Sequence, residues 1–224
     1  MATPDPLRFA AGPSPRGARA AIARLIAADA DFAAIERRAG RLPWRTRPAG
    51  FPGLLGAIVG QQISNQAAGA IWRRLSVLPG ALAAEGLLAL PETALREAGL
   101  SRPKILHARA LAEAVASGTL DLDRVAAMED EAAIAAIAAV RGLGRWSAEV
   151  YLLFALGRFD VFPSGDLALA ASAADLKALP ARPGPRALAA LAEGWRPHRA
   201  LAARLLWHHW RFVTGRPAMD DVAG

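Results

Sequence analysis

The stretch VRGLGRWSAEV, residues 140–150, constrains this chain more than any other. Two glycines flank a leucine between two segments with helical patterning, so one helix must stop, turn tightly and give way to another. Glycine is the residue that tolerates left-handed backbone angles and close backbone approach. The helix restarting after Gly144 opens with unpaired N–H groups and the positive end of its dipole. Such an end binds a phosphate without reading sequence, and Arg145 adds a charge beside it. An ordinary helix–turn–helix corner with glycine caps is the plain structural alternative.

The rest of the chain reads as helices. Residues 17–39 carry Ile22, Leu25, Ile26, Phe32 and Ile35 at helical spacing, as two helices broken near Asp29 and Asp31. Residues 41–53 form a Pro/Gly connector. Leu54 to Leu75 is apolar at helical spacing but interrupted by GQQISN, residues 60–65. Pro91 and Pro103 open helices where a missing N–H costs nothing. Further helices are expected over 131–140, 145–156, after Pro163, near 185–193, and from Pro197 to about Phe212. No alternating strands, Gly-rich phosphate loop or fixed-period repeat interrupts the series. The fold class expected is all-α: a flexible segment over 1–16, then a single all-α domain over 17–224, with the helix-hairpin-helix at about 131–156.

Composition bounds the chemistry. The chain has 224 residues, enough for a substantial core, and no cysteine. Disulfides, thiolate zinc sites and cysteine-held iron–sulfur clusters are therefore excluded. No apolar run reaches the roughly 18 residues of a membrane span, and the N-terminus lacks a signal-peptide layout. The net charge is +7, and Lys104 and Lys177 are the only lysines, so the positive charge is almost all arginine. Arginine suits phosphate geometry, although a GC-rich genome gives the same bias.

Three further stretches join the hairpin: AIVGQQISNQAA before it, DVFPSGDLAL after it, and then WRPHRALAARLLWHHW. In this order and spacing they resemble the helix-hairpin-helix DNA glycosylase superfamily over roughly residues 20–212, most closely the DNA-3-methyladenine glycosylase II family of the alkylation-repair branch. The resemblance implies a two-lobed all-α fold with the active site in a cleft between lobes. It makes Asp166, in the Pro163-to-Asp166 motif, the catalytic carboxylate; a simple N-cap is the alternative for that residue, and the two roles are compatible. It places Trp207 and Trp146 beside the flipped base, with His208 where relatives carry an aromatic and Val150 where they carry a tyrosine. Core packing is the plain alternative for either tryptophan. Gln62 falls at the wedge position that fills the gap left by the base. Gly142, Gly144 and Arg145 would hold the DNA backbone.

The same resemblance implies no organic cofactor. Family hairpins bind a monovalent cation, Na+ or K+, through backbone carbonyls when DNA is present; here these would be Ala138, Val140 and Leu143. Adjacent His208 and His209 point apart on a helix, which argues against a metal pair. Bifunctional relatives carry a Schiff-base lysine where this chain has Trp146, so strand cleavage is not expected. The expected activity is base flipping and excision of alkylated purines of the 3-methyladenine type. The expected partner is damaged double-stranded DNA, bound by a monomer in the cytoplasm, on the nucleoid if bacterial. Two alternatives stay open: a glycosylase for deaminated or oxidised bases, and a non-catalytic module that binds damaged DNA.

Overall fold

The computed structural model describes residues 10–11 and 15–215. The lead-in expected over 1–16 lies almost wholly outside them. The described residues contain thirteen α-helices, and the only extended segments are Ala10–Ala11 and Arg45–Thr46. The all-α expectation holds. Arg47–Leu156 form one compact unit; the other is built from two stretches, one ending at Thr46 and one starting at Gly157.

The first unit contains α3 (Phe51–Gly60), α4 (Asn65–Ser76), α5 (Ala84–Ala89), α6 (Glu92–Glu97), α7 (Arg102–Ala116), α8 (Leu122–Ala127), α9 (Asp130–Ala138) and α10 (Arg145–Phe154). Two of these are absent from the sequence reading. The helices α5 and α8 span six residues each, too short for a hydrophobic period to register. Asp121 caps α8, its Oδ1 accepting from the N–H groups of Asp123 and Arg124 at 3.0 Å each. The expected Pro/Gly connector also ends early, because Pro52 sits in the first turn of α3, where no N–H is required. Helix α3 is the centre of this unit. Leu54, Leu55, Ile58 and Val59 are fully buried, and α4, α7 and α10 pack against it.

The second unit contains α1 (Ala18–Ala28), α2 (Phe32–Ala39), α11 (Leu167–Leu176), α12 (Pro185–Ala192) and α13 (Arg199–Thr214). Helices α1, α2 and α11 pack against α13, whose residues 200–206 are all buried. Trp195 anchors the other side. Its ring meets the edges of Phe32 and Phe162 at centroid distances of 5.2 and 5.6 Å. Its Nε1 donates to Asp29 at 2.8 Å, and Lys177 also reaches Asp29 at 2.7 Å. Burial would raise the Asp29 carboxyl, but the bonds from Lys177 and Trp195 outweigh it and hold the group below its ordinary range. The break near Asp29 and Asp31 is thus a tertiary anchor as well as a helix end.

Candidate functional site

The hairpin lies within the first unit. Helix α9 ends at Ala138, two residues before the expected Val140. The N–H of Val140 then donates to Ile137 at 3.1 Å, and that of Leu143 to the Val140 carbonyl at 3.0 Å. Val140 and Leu143 bury their side chains, fixing the turn from below.

The two glycines do different work. Gly142 has φ +92°, a left-handed conformation, and a Cβ there would fall 2.2 Å from Cγ of His107. No side chain fits without displacing α7. Gly144 has φ −98° and ψ 173°, which any residue adopts, and a Cβ on it would meet nothing within 4 Å. The expectation that both glycines are needed for the turn is therefore corrected for Gly144. It caps α10 without a side-chain bond of its own.

Arg145 also differs from expectation. Its Nε donates to Glu149 at 2.8 Å, and Nη1 and Nη2 grip both oxygens of Glu131 at 2.9 and 2.7 Å. The reason is placement. Residues 145 and 149 share a helix face, and Glu131 opens the neighbouring helix. The guanidinium braces α9 against α10, and two carboxylates offset its charge. Burial pushes the Glu149 carboxyl up to about 7, against the pull of Arg145. Trp146, by contrast, is 46% exposed.

The loop between α3 and α4 belongs to the same unit. Gln62 is exposed and has φ +57°, rare for a residue other than glycine or asparagine. Gln61, not singled out by the sequence, donates from Nε2 to the Gly142 carbonyl at 2.8 Å. The structure thus brings the Gln62 loop and the glycine turn together. No local signal reveals this, because the contact spans 81 residues of chain.

Asp166, Trp207 and His208 lie in the second unit. Asp166 is half-buried at the start of α11. Its own N–H donates to Pro163 at 2.9 Å, closing the Pro-Ser-Gly-Asp turn. Its Oδ1 accepts from the N–H groups of Ala168 and Leu169 at 2.8 and 2.9 Å. The capping reading of Asp166 is therefore correct, and it fixes the carboxylate rigidly. Helix α11 is itself tied to α13. Ser172 Oγ donates to the Leu206 carbonyl at 2.7 Å, and His209 Nε2 bonds Asp175 at 2.7 Å. Trp207 is half-buried on α13. His208 Nε2 meets the Gly40 carbonyl at 3.0 Å, a contact that requires the N–H on that nitrogen. Burial lowers its pKa, against the opposing pull of the bond to Gly40. The two histidines turn to different partners, as neighbours on a helix must.

Residues 55–197 match the HhH-GPD superfamily of base excision DNA repair proteins. The chain belongs to that superfamily. Over 162 residues it is 31% identical to DNA-3-methyladenine glycosylase 1 of Schizosaccharomyces pombe, covering 69% of each chain. It spans 39–54% of the length of the other curated relatives it matches. A crystal structure of DNA-3-methyladenine glycosidase from Bacillus halodurans superposes with a TM-score of 0.77. It is 32% identical, over 93% of this chain and 95% of that one. A Schizosaccharomyces pombe 3-methyladenine DNA glycosylase in complex with abasic DNA superposes at 0.75 with 26% identity, over 89% of this chain and 98% of that one. Among the described residues of this HhH-GPD protein, no helix is long and apolar enough to cross a membrane.

Two predictions follow from the hairpin geometry. Gly142→Ala should destabilise the chain by about 2–4 kcal/mol, from the left-handed backbone and the collision with His107. Gly144→Ala should cost about 1 kcal/mol or less, as the loss of a modest cap. Thermal melts of the two variants, side by side, measure the contrast; equal losses would refute the assignment of the turn to Gly142.

The second concerns Glu149. Its folded pKa of about 7 lies above the ordinary 4.5. The protonated form is therefore favoured by folding, and that contribution is complete below the ordinary value and lost as pH rises through about 7. Melting temperature should fall across this window, and Glu149→Gln should flatten the fall. A pH series of melts from about pH 5 to about pH 8 checks it; parallel curves would show that Glu149 does not titrate there.

Proposed function

We propose that this chain is a monofunctional DNA glycosylase that hydrolyses the N-glycosidic bond of alkylated purines, 3-methyladenine among them, in duplex DNA. The observation that carries the reading is Asp166: a Pro-x-x-Asp carboxylate locked by two backbone bonds at the head of a helix that is itself fixed to α13. A rigid anion suits this reaction. As the base departs with the bonding electron pair, the sugar becomes an oxocarbenium ion, and a preorganised carboxylate stabilises that charge without reorganising. Water then adds its hydroxyl to C1′ and releases a proton, leaving an abasic site.

A purine alkylated on a ring nitrogen is cationic and leaves as a neutral base, which reduces the need for a general acid. Aromatic faces attract such a cation. Trp207, half-buried, and Trp146, 46% exposed, carry that role in this reading, with His208 next to Trp207 in the chain. The reaction requires the nucleotide to leave the stack, and exposed Gln62 supplies the wedge that replaces it.

Duplex DNA is bound through its backbone by the hairpin. The support is Gly144 as an N-cap of α10 without a side-chain bond, together with the open space beside it. A bound Na+ or K+ would be held by the carbonyls of Ala138, Val140 and Leu143. Ala138 ends α9, and the Val140 carbonyl accepts one N–H and keeps a second lone pair, so the donor set suits a weakly held cation. The reading takes the chain to act as a monomer. With Trp146 where bifunctional relatives carry lysine, no Schiff base forms.

The test is base release from methylated duplex DNA, with the released bases identified and single-turnover rates compared for parent and Asp166→Asn. Asparagine keeps the cap, so melting and binding to an abasic analogue should be retained. The rate should drop on the order of 100- to 1000-fold, about 3–4 kcal/mol. Parent-like rates in the folded variant would reduce Asp166 to a cap.

The product should also be an intact strand with an abasic site, and borohydride should trap no covalent complex during turnover. Efficient trapping would refute the monofunctional assignment.

A further inference from the structure

The two elements that the proposed function assigns to DNA within the first unit, the Gln62 loop and the glycine hairpin, are joined by one side chain. Gln61 follows the last residue of α3, where the backbone turns away at φ −59° and ψ 131°. From there its Nε2 donates to the Gly142 carbonyl at 2.8 Å. That acceptor is rigid. Gly142 holds a left-handed φ, and the His107 ring of α7 fills the space a side chain would occupy. The bond is half-buried, where an unmade partner costs more than in water.

Two more contacts fix the flanks of the loop. Lys104, also from α7, donates its Nζ to the Val59 carbonyl in the last turn of α3. Ser64 caps α4, its Oγ accepting from Ala67 N–H at 3.2 Å. Between these anchors stands Gln62 at φ +57°. A non-glycine residue stays in that conformation only where its surroundings over-determine it. Gln61 is the nearest such constraint, and it is referenced to the hairpin.

We propose that Gln61 is a positioning residue that sets the Gln62 loop in register with the glycine turn, so that wedge insertion and backbone anchoring are geometrically coupled. This rests on the glycosylase reading above. Loss of the bond lets the loop relax away from the left-handed conformation. The hairpin still binds the DNA backbone, but the wedge no longer enters the gap at the required depth. Damaged-site engagement therefore suffers more than binding to undamaged duplex.

The experiment uses the full chain and four variants: Gln61→Glu, Gln61→Asn, Gln62→Ala, and the double variant Gln61→Glu with Gln62→Ala. Glutamate is nearly isosteric but offers the carbonyl no N–H when ionised; asparagine keeps the amide but falls one methylene short. Three quantities are read: affinity for undamaged duplex, the fluorescence rise of 2-aminopurine opposite an abasic analogue, and single-turnover excision from methylated duplex. Both Gln61 variants should lose most of the fluorescence rise and on the order of 10- to 100-fold in excision rate. Their affinity for undamaged duplex should change less than about twofold, about 0.4 kcal/mol. The double variant should be no worse than Gln62→Ala, because Gln61 acts through Gln62. Additive losses in the double variant, or equal losses of undamaged-duplex affinity and fluorescence, would overturn the coupling. No fluorescence rise and no excision with the parent chain would instead overturn the glycosylase reading, and the coupling with it.

Discussion

The turn at Gly142 is the constraint on which the first unit depends. A left-handed backbone there, with the His107 ring against it, leaves one residue type that fits. Three consequences meet at that point. The chain reverses between α9 and α10, bringing Glu131 within reach of Arg145. The Gly142 carbonyl is presented to Gln61, which ties in the loop that ends α3. Helix α10 starts at Gly144, which has no side chain to cap it, with the positive end of the helix dipole at that point. Placing a Cβ at Gly142 disturbs all three, whereas one at Gly144 meets only open space.

The second unit solves a different problem, that of holding one carboxylate still. Asp166 caps α11 through two backbone N–H groups. The helix is then pinned to α13 by Ser172 in its middle and by Asp175 near its end. In the proposed function, capping and catalysis are one arrangement. The proposed reaction requires an anion that does not move as charge develops. The charge cluster at the start of α13 serves the same rigidity. Asp160 accepts from the Arg199 backbone N–H at 3.3 Å and from its Nε at 3.1 Å, setting a negative charge at the helix N-terminus.

Arg145 shows how a charge read from sequence is redirected by its neighbours. Beside a glycine turn it reads as a phosphate ligand. In the folded chain it bridges Glu131 and Glu149, the latter only 4% exposed. An exposed arginine beside a buried carboxylate lowers the cost of burying that charge, so the pairing follows from the burial of Glu149. In the proposed function, backbone amides of the hairpin, not this guanidinium, would hold a phosphate.

The sequence by itself determined the all-α class, the hairpin between two helices, the break near Asp29 and the Pro-x-x-Asp motif. Each of these is written in local backbone chemistry: glycine's tolerance of left-handed angles, proline's missing N–H, aspartate's affinity for helix starts. It also carried the family resemblance, because motif order survives where overall identity is about 31%. It did not reveal the short helices α5 and α8, whose six residues hold less than two turns of pattern. Nor did it separate Gly142 from Gly144, expose the brace around Arg145 or single out Gln61. Those were decided only by tertiary structure. Each depends on which side chain from a distant helix arrives at the spot, His107 behind one glycine, Glu131 beside the arginine, a carbonyl in front of the glutamine, and packing between helices, not local propensity, makes that choice.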